Sequence, residues 1–221
     1  MDKADTATKL DLIVPVAIIQ EQAQIRQERN KLIHSSENSL ASTVAFDPPV
    51  SDGIVRFEGV FENLDGWMFN IGIADVSTVF GANKVPAADG NKDNIVCYLN
   101  VGTLQHRDGV ISGNVQILEK QKIALEVNMV SIPHTLHFFV DGIEQPLSIF
   151  NIPAQIRFWI YLSRKDSQFT ITRFNHLSSS SAKDVEGSKK LEWGKLWQDY
   201  GERNLGTNDG DLFDDDEDDE L

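Results

Sequence analysis

Residues 122–142 read KIALEVNMVSIPHTLHFFVDG. Ile123, Leu125 and Val127 alternate with Ala124, Glu126 and Asn128. A period of two is the signature of a strand with one buried face. A second apolar run, Thr135–Val140, follows after a short break and ends at Asp141-Gly142. That dipeptide signals a tight turn, because glycine takes positive φ at little cost. The stretch therefore predicts two antiparallel strands.

The same texture extends in both directions. Runs rich in Val, Ile, Phe, Tyr and Thr occupy Ser42–Phe46, Ile54–Glu62, Trp67–Ala74, Ile95–Val101, Arg157–Leu162 and Gln168–Phe174. Breakers such as DPPVSDG, ENLDG, HRDG and SRKDS separate them at intervals of about ten residues. Many short strands with almost no helix between them predict an all-β, antiparallel two-sheet sandwich. Phe57, Trp67 and Phe69 are large enough to fill the space between sheets about 10 Å apart. In 168–174, Phe169, Ile171 and Arg173 are expected on one face, with Thr170, Thr172 and Phe174 on the other. Gly72 inside a strand predicts a bulge or the close approach of another segment.

Four divisions follow. Residues 1–35 form a lead-in with a helix at about 16–33, since Val16–Ile33 lacks Gly and Pro and EQAQIRQERNK consists mostly of helix formers. Ile18, Ile25 and Leu32 recur every seven residues. A coiled-coil seam is one reading of that spacing. A helix packed on its own domain is favoured, because two heptads containing Gln22 and Arg29 are too thin a seam. The sandwich spans 36–177. Residues 178–205 form a linker with a short amphipathic helix. Its Trp193, Leu196, Trp197 and Tyr200 fall at i, i+3, i+4, i+7 and are expected to fold back onto the sandwich. Residues 206–221 are an acidic tail expected to be disordered.

The formal net charge of −14 belongs mainly to that tail, where 209–221 hold nine acids and no Lys or Arg, leaving 25 acids against 20 bases elsewhere. A mildly acidic body without a basic stripe argues against nucleic acid as a partner. The apolar run Leu10–Ile19 is broken by Asp11 and Pro15. It is shorter than the roughly 20 residues of a membrane span, so no membrane partner is expected. The final DDEL is similar to an ER-retention tetrapeptide, but no entry signal precedes it. A cytoplasmic location is expected. The single cysteine, Cys97, excludes an internal disulfide and lies in an apolar strand as a buried thiol.

The order of three segments carries a family resemblance. IVRFEGVFENLDGWMFNIGIAD (54–75), KIALEVNMVSIPHTLHFFVDG (122–142) and QIRFWIYLSRKDSQFTITRF (155–174) together resemble the SPRY domain family over about Ser42–Leu177. The resemblance implies a concanavalin A-like sandwich. It also implies a non-catalytic adaptor module that binds a peptide segment of a partner protein through loops at one rim. Carried over by position, the partner-binding residues are Phe80, Gly81 and Asn83, then His106, Arg107 and Asp108, then Arg164, Lys165 and Asp166. Arg164 beside Lys165 favours an acidic partner segment. A lectin-like carbohydrate-binding sandwich is the alternative. No catalytic constellation, cofactor motif or metal-ligand spacing is present: the histidines are scattered and no cysteine pair exists. No enzyme, no cofactor and no metal are therefore expected, and a monomer is favoured.

Overall fold

The computed structural model describes residues 12–198. Its strands, in chain order, are β1 (Val16–Ile18), β2 (Ile25–Glu28), β3 (Lys31–His34), β4 (Ser42–Asp47), β5 (Ile54–Glu62), β6 (Asn70–Asp75), β7 (Ile95–Leu99), β8 (Thr103–His106), β9 (Gly109–Ser112), β10 (Lys122–Asn128), β11 (Thr135–Val140), β12 (Ile143–Glu144), β13 (Leu147–Phe150), β14 (Ile156–Leu162), β15 (Gln168–Leu177) and β16 (Lys189–Glu192). One sheet runs β1-β4-β14-β6-β7-β8-β9. The other runs β16-β13-β11-β10-β5-β15-β3-β2, with β12 paired to β11. Among the described strands, only β13 and β16 pair in parallel. β10 and β11 pair antiparallel, as expected, with a register from Ile123 opposite Val140 to Asn128 opposite Thr135.

The alternating residues meet between the sheets. Phe57 of β5 has Phe46 and Phe158 of the facing sheet at 5.1 and 5.0 Å, and Phe174 edge-on at 5.4 Å. In β15 the expected alternation fails partway. Phe169 and Ile171 are buried, but so is Phe174. The register against β5 shifts between Ile171 and Arg173. That bulge inserts one residue and moves Phe174 onto the core face. Trp67, expected in the core, precedes β6 in a turn and is 46% exposed, whereas Phe57 and Phe69 are buried.

The helix expected over 16–33 is replaced by three strands. Arg29, with φ of 56°, turns β2 back on β3. Gln27 then lies opposite Leu32, so Ile25 and Leu32 share the inward face of a hairpin that pairs with β15. Their seven-residue spacing arises from the turn, and edge pairing overrides the local helix propensity. The helix expected in 178–205 is likewise absent from the described part. Lys189–Glu192 adds a parallel strand to β13, and Gly194 at φ 80° turns the chain beyond it. Trp193 and Trp197 do fold back onto the sandwich. Tyr200 and the acidic tail 206–221 lie outside the described residues.

Residues 178–188 cross the outer face of the nine-stranded sheet. Beneath them Glu126 is 1% exposed. Its carboxylate accepts hydrogen bonds from Ser180 Oγ at 2.7 Å, from Ser181 N at 2.8 Å and from Ser181 Oγ. Arg56 Nη1 lies 3.4 Å away and its guanidinium stands over the Phe139 ring. Burial pushes the carboxyl upward, but the serine bonds and Arg56 outweigh it and leave Glu126 below its ordinary value of 4.5. A depressed folded-state value means that Glu126 contributes stability above about pH 4.5, and that this is lost as pH falls through the folded value. Glu126→Ala leaves a buried guanidinium without that carboxylate and is expected to cost roughly 3–5 kcal/mol. Urea titrations across pH 3–7 check both outcomes: the variant must lose stability at pH 7 and show a flatter acid limb than the wild type.

Candidate functional site

On the outer face of the seven-stranded sheet, neighbouring strands align a short row of side chains. Asn70 lies opposite Tyr161 on one side and Leu99 on the other. Next to this row, Gly72 lies opposite both Trp159 and Cys97, and Cys97 opposite Gln105. A Cβ on Gly72 would come within 1.8 Å of the Val96 carbonyl oxygen and 2.7 Å of the Trp159 ring. The expected close approach at Gly72 is made by the β7 backbone at Val96 and by the indole of Trp159. Phe80 packs on that indole at 5.7 Å, and Ala74, Ile95, Cys97 and Tyr161 complete a small apolar cluster.

The 76–94 loop covers part of this cluster and leaves a pocket of about 340 Å³ beside it. Its floor is Asn70, Cys97, Leu99, Gln105 and Tyr161. Val85, Pro86 and Ala87 of the loop form one wall, with Met68 opposite and Lys92 and Arg107 at the margin. Asn70 is 6% exposed, and its Oδ1 has no hydrogen-bond partner. A buried amide oxygen without a partner costs about 1–3 kcal/mol, and a ligand that supplies a donor recovers it. Met68 and Val85 are about half exposed, which gives the mouth an apolar lip. The margin charges are balanced. Lys92 Nζ meets the Asp108 carboxylate at 2.7 and 2.9 Å, which holds the ammonium above the usual lysine range. Arg107 Nε lies 3.0 Å from Asp93. Cys97 is buried at the floor, and burial drives its thiol far up, so no thiolate is available.

The nine residues named from the sequence take different places. His106 and Arg107 line the pocket, and Asp108 fixes Lys92 beside it. Phe80 is buried under the loop rather than offered at a rim, because the Trp159 face gives its ring an apolar seat. Gly81 and Asn83 border the N-terminal segment, where the Gln24 amide donates to Asn83 Oδ1. Arg164, Lys165 and Asp166 belong to another contact group. Arg164 donates to the Asn63 carbonyl at 3.1 Å and pairs with Asp65, while Lys165 N and Asp166 N reach Ser39 and Ser35. Sequence reasoning missed Asn70, Met68, Leu99, Gln105 and Tyr161. The one local signal was Asn70, a polar residue opening an apolar strand.

His106 is a structural anchor. It is 1% exposed, and its Nδ1–H donates to the Ile95 carbonyl at 2.7 Å. Nε2 accepts from the Gly194 N–H at 2.8 Å. Trp193 and Trp197 hold the ring at 4.7 and 5.0 Å. The two partners dictate the neutral tautomer, since one can only accept and the other only donate. On the opposite sheet, His137, Glu144 and Asp184 place ligand atoms within 4.8 Å of one another. Those atoms are already engaged. Glu144 accepts from His137 Nδ1 at 3.0 Å and Lys183 N at 2.6 Å, and Asp184 pairs with Lys190 at 2.9 Å.

No family model and no curated protein matches the chain. Solved structures do. The SPRY domain of human HERC1 superposes with TM-score 0.51 at 13% identity, covering 71% of this chain and 94% of that one. A second human SPRY domain gives 0.54 at 12%, covering 71% and 97%. The PSpry domain of TRIM65 gives 0.50 at 9%, covering 74% and 94%. The chain has a SPRY-like β-sandwich fold. Among the described residues, no helix is long and apolar enough to cross a membrane.

Burial first, and then the neighbouring Arg107 charge, hold the His106 imidazole below its ordinary 6.5 against the opposing pull of the Ile95 carbonyl and Asp93. Protonation would place a second N–H against that of Gly194. The anchor's contribution is complete above pH 6.5 and is lost as pH falls through the lower folded-state value. Tryptophan fluorescence followed from pH 8 to 5 is expected to report loosening of Trp193 and Trp197 below pH 6.5. His106→Gln should abolish that pH step and lower stability by about 1–2 kcal/mol above pH 6.5, a gap that narrows as pH falls.

Proposed function

We propose that this chain is a non-catalytic protein-interaction module, and that the pocket beneath the 76–94 loop seats an apolar side chain of a partner peptide. The observation that carries the reading is the partnerless Asn70 amide oxygen in a hollow lined mainly by apolar side chains. Apolar pockets with a few placed polar groups are what small recognition sites require. A peptide entering the hollow brings an N–H donor to Asn70 Oδ1 and buries the Met68 and Val85 lip. The SPRY-like fold supports the reading, and the buried thiol and balanced carboxylates supply no reactive group to oppose it. The loop containing Arg164, Lys165 and Asp166 lies outside the pocket lining and is a secondary contact in this proposal. Its contribution is small because Arg164 is already engaged with Asp65.

A peptide-array screen of the full chain, followed by calorimetry on the best binder, tests this. Met68→Glu puts a charge on the lip without disturbing the core and should weaken binding at least about tenfold, or about 1.4 kcal/mol. Arg164→Glu should change it by about twofold or less. Binding that survives Met68→Glu but is lost with Arg164→Glu would move the site to the other loops. Glycan-array signal with no peptide binder would instead favour a carbohydrate ligand.

A further inference from the structure

We infer that the pocket is occupied in cis by this chain's own acidic C-terminal segment, with Leu212 and Phe213 as the inserted pair, so that the segment competes with a partner. The inference rests on the pocket being a peptide site. After β16 the Gly194 N–H and carbonyl are held by His106 and by Arg107, whose Nη1 donates at 2.6 Å. Both side chains line the pocket. Trp197 then packs on His106, and Gln198 forms a parallel bridge with Val110 of β9. The last described residue therefore stands on the edge of the sheet that carries the pocket. From Val110 on β9 to Asn70 on β6 is three strand spacings, or roughly 14 Å. Phe213 lies fifteen residues beyond Gln198, a reach of up to about 50 Å.

The other end of the described residues lies on the other sheet. Leu12 bridges Asn175, and Ile13 N donates to the Phe174 carbonyl, so the N-terminal segment enters on the nine-stranded sheet. Within GTNDGDLFDDDEDDEL (206–221), Leu212-Phe213 is the only adjacent apolar pair. Their side chains match the apolar hollow, and the flanking backbone amides match Asn70. Lys92 and Arg107 already hold Asp108 and Asp93. The apolar pair therefore supplies the affinity, and the acidic run contributes encounter rate. Tethering gives the segment an effective concentration in the millimolar range. An intrinsic dissociation constant near 100 μM would then keep the pocket about nine-tenths occupied.

The test uses the full chain with methionine methyl groups labelled for NMR, since Met68 sits on the lip and Met129 is buried elsewhere in the core. Leu212→Asp/Phe213→Asp should shift the Met68 resonance, leave Met129 in place, and let a partner peptide from the array bind about tenfold tighter. Synthetic peptide 206–221 added to the substituted chain should return Met68 to its wild-type position. An unmoved Met68 with no response to the added peptide overturns the inference. If array peptides then bind both chains equally, the pocket remains a peptide site and only the cis occupant is refuted. If nothing binds either chain, the peptide reading itself falls. A Met68 difference that grows with protein concentration means that a second copy donates the segment, which also overturns occupancy in cis.

Discussion

Phe57 joins the two sheets. It projects from β5 into a set of rings contributed by both layers, with Phe46 and Phe158 facing it and Phe169 and Phe174 beside it on its own sheet. Aromatic side chains bury more area than any others and prefer tilted or edge-on neighbours. One such cluster fixes both the spacing of the layers and their relative placement. The bulge in β15 belongs to the same constraint, because without it Phe174 would point to solvent and Phe57 would lose its edge-on neighbour.

A sandwich locked in this way leaves its outer faces to be used differently. On the nine-stranded sheet the chain covers a charged interior. Arg56 and Glu126 are sealed by the Ser180–Ser181 strap, and His137 and Glu144 by the backbone amides that follow it. On the seven-stranded sheet the covering is apolar and incomplete. Trp159 lies across Gly72 and seats Phe80, which pins the beginning of the 76–94 loop. The loop's far half is held by the Lys92–Asp108 and Arg107–Asp93 pairs. Between these two attachments the Thr43 hydroxyl of β4 donates to the Lys84 carbonyl at 3.3 Å, and the pocket is the space between Val85–Ala87 and the sheet.

The two chain ends reinforce rather than decorate the sandwich. The β2–β3 hairpin extends one edge of the nine-stranded sheet and β16 extends the other. The four-residue strands β2 and β16 leave short edges, with few unpaired backbone groups to invite association. His106 ties the C-terminal segment across to the opposite sheet, so one imidazole connects the last strand, the pocket wall and the chain's exit.

Sequence by itself determined the architecture. The alternation in 122–128, the Asp141-Gly142 turn and the order of the three long segments were enough, because burial of one face forces a period of two on any strand. It also indicated the inert Cys97, the close approach at Gly72 and the return of the tryptophans to the sandwich. Tertiary structure decided what local signals contradict. Residues 16–33 carry helix formers yet pair as strands, since an open sheet edge offers more burial than an isolated helix. The Trp193, Leu196 and Trp197 spacing suits a helix, but Gly194 turns the chain and His106 takes both indoles. The site was the least legible part. His106 and Arg107 were found through a loop, while Asn70, Leu99, Gln105 and Tyr161 come from four strands, of which β6 and β14 are far from the β7–β8 hairpin in sequence. Their meeting depends on strand order, which is set by packing between sheets and not by any residue's own neighbours.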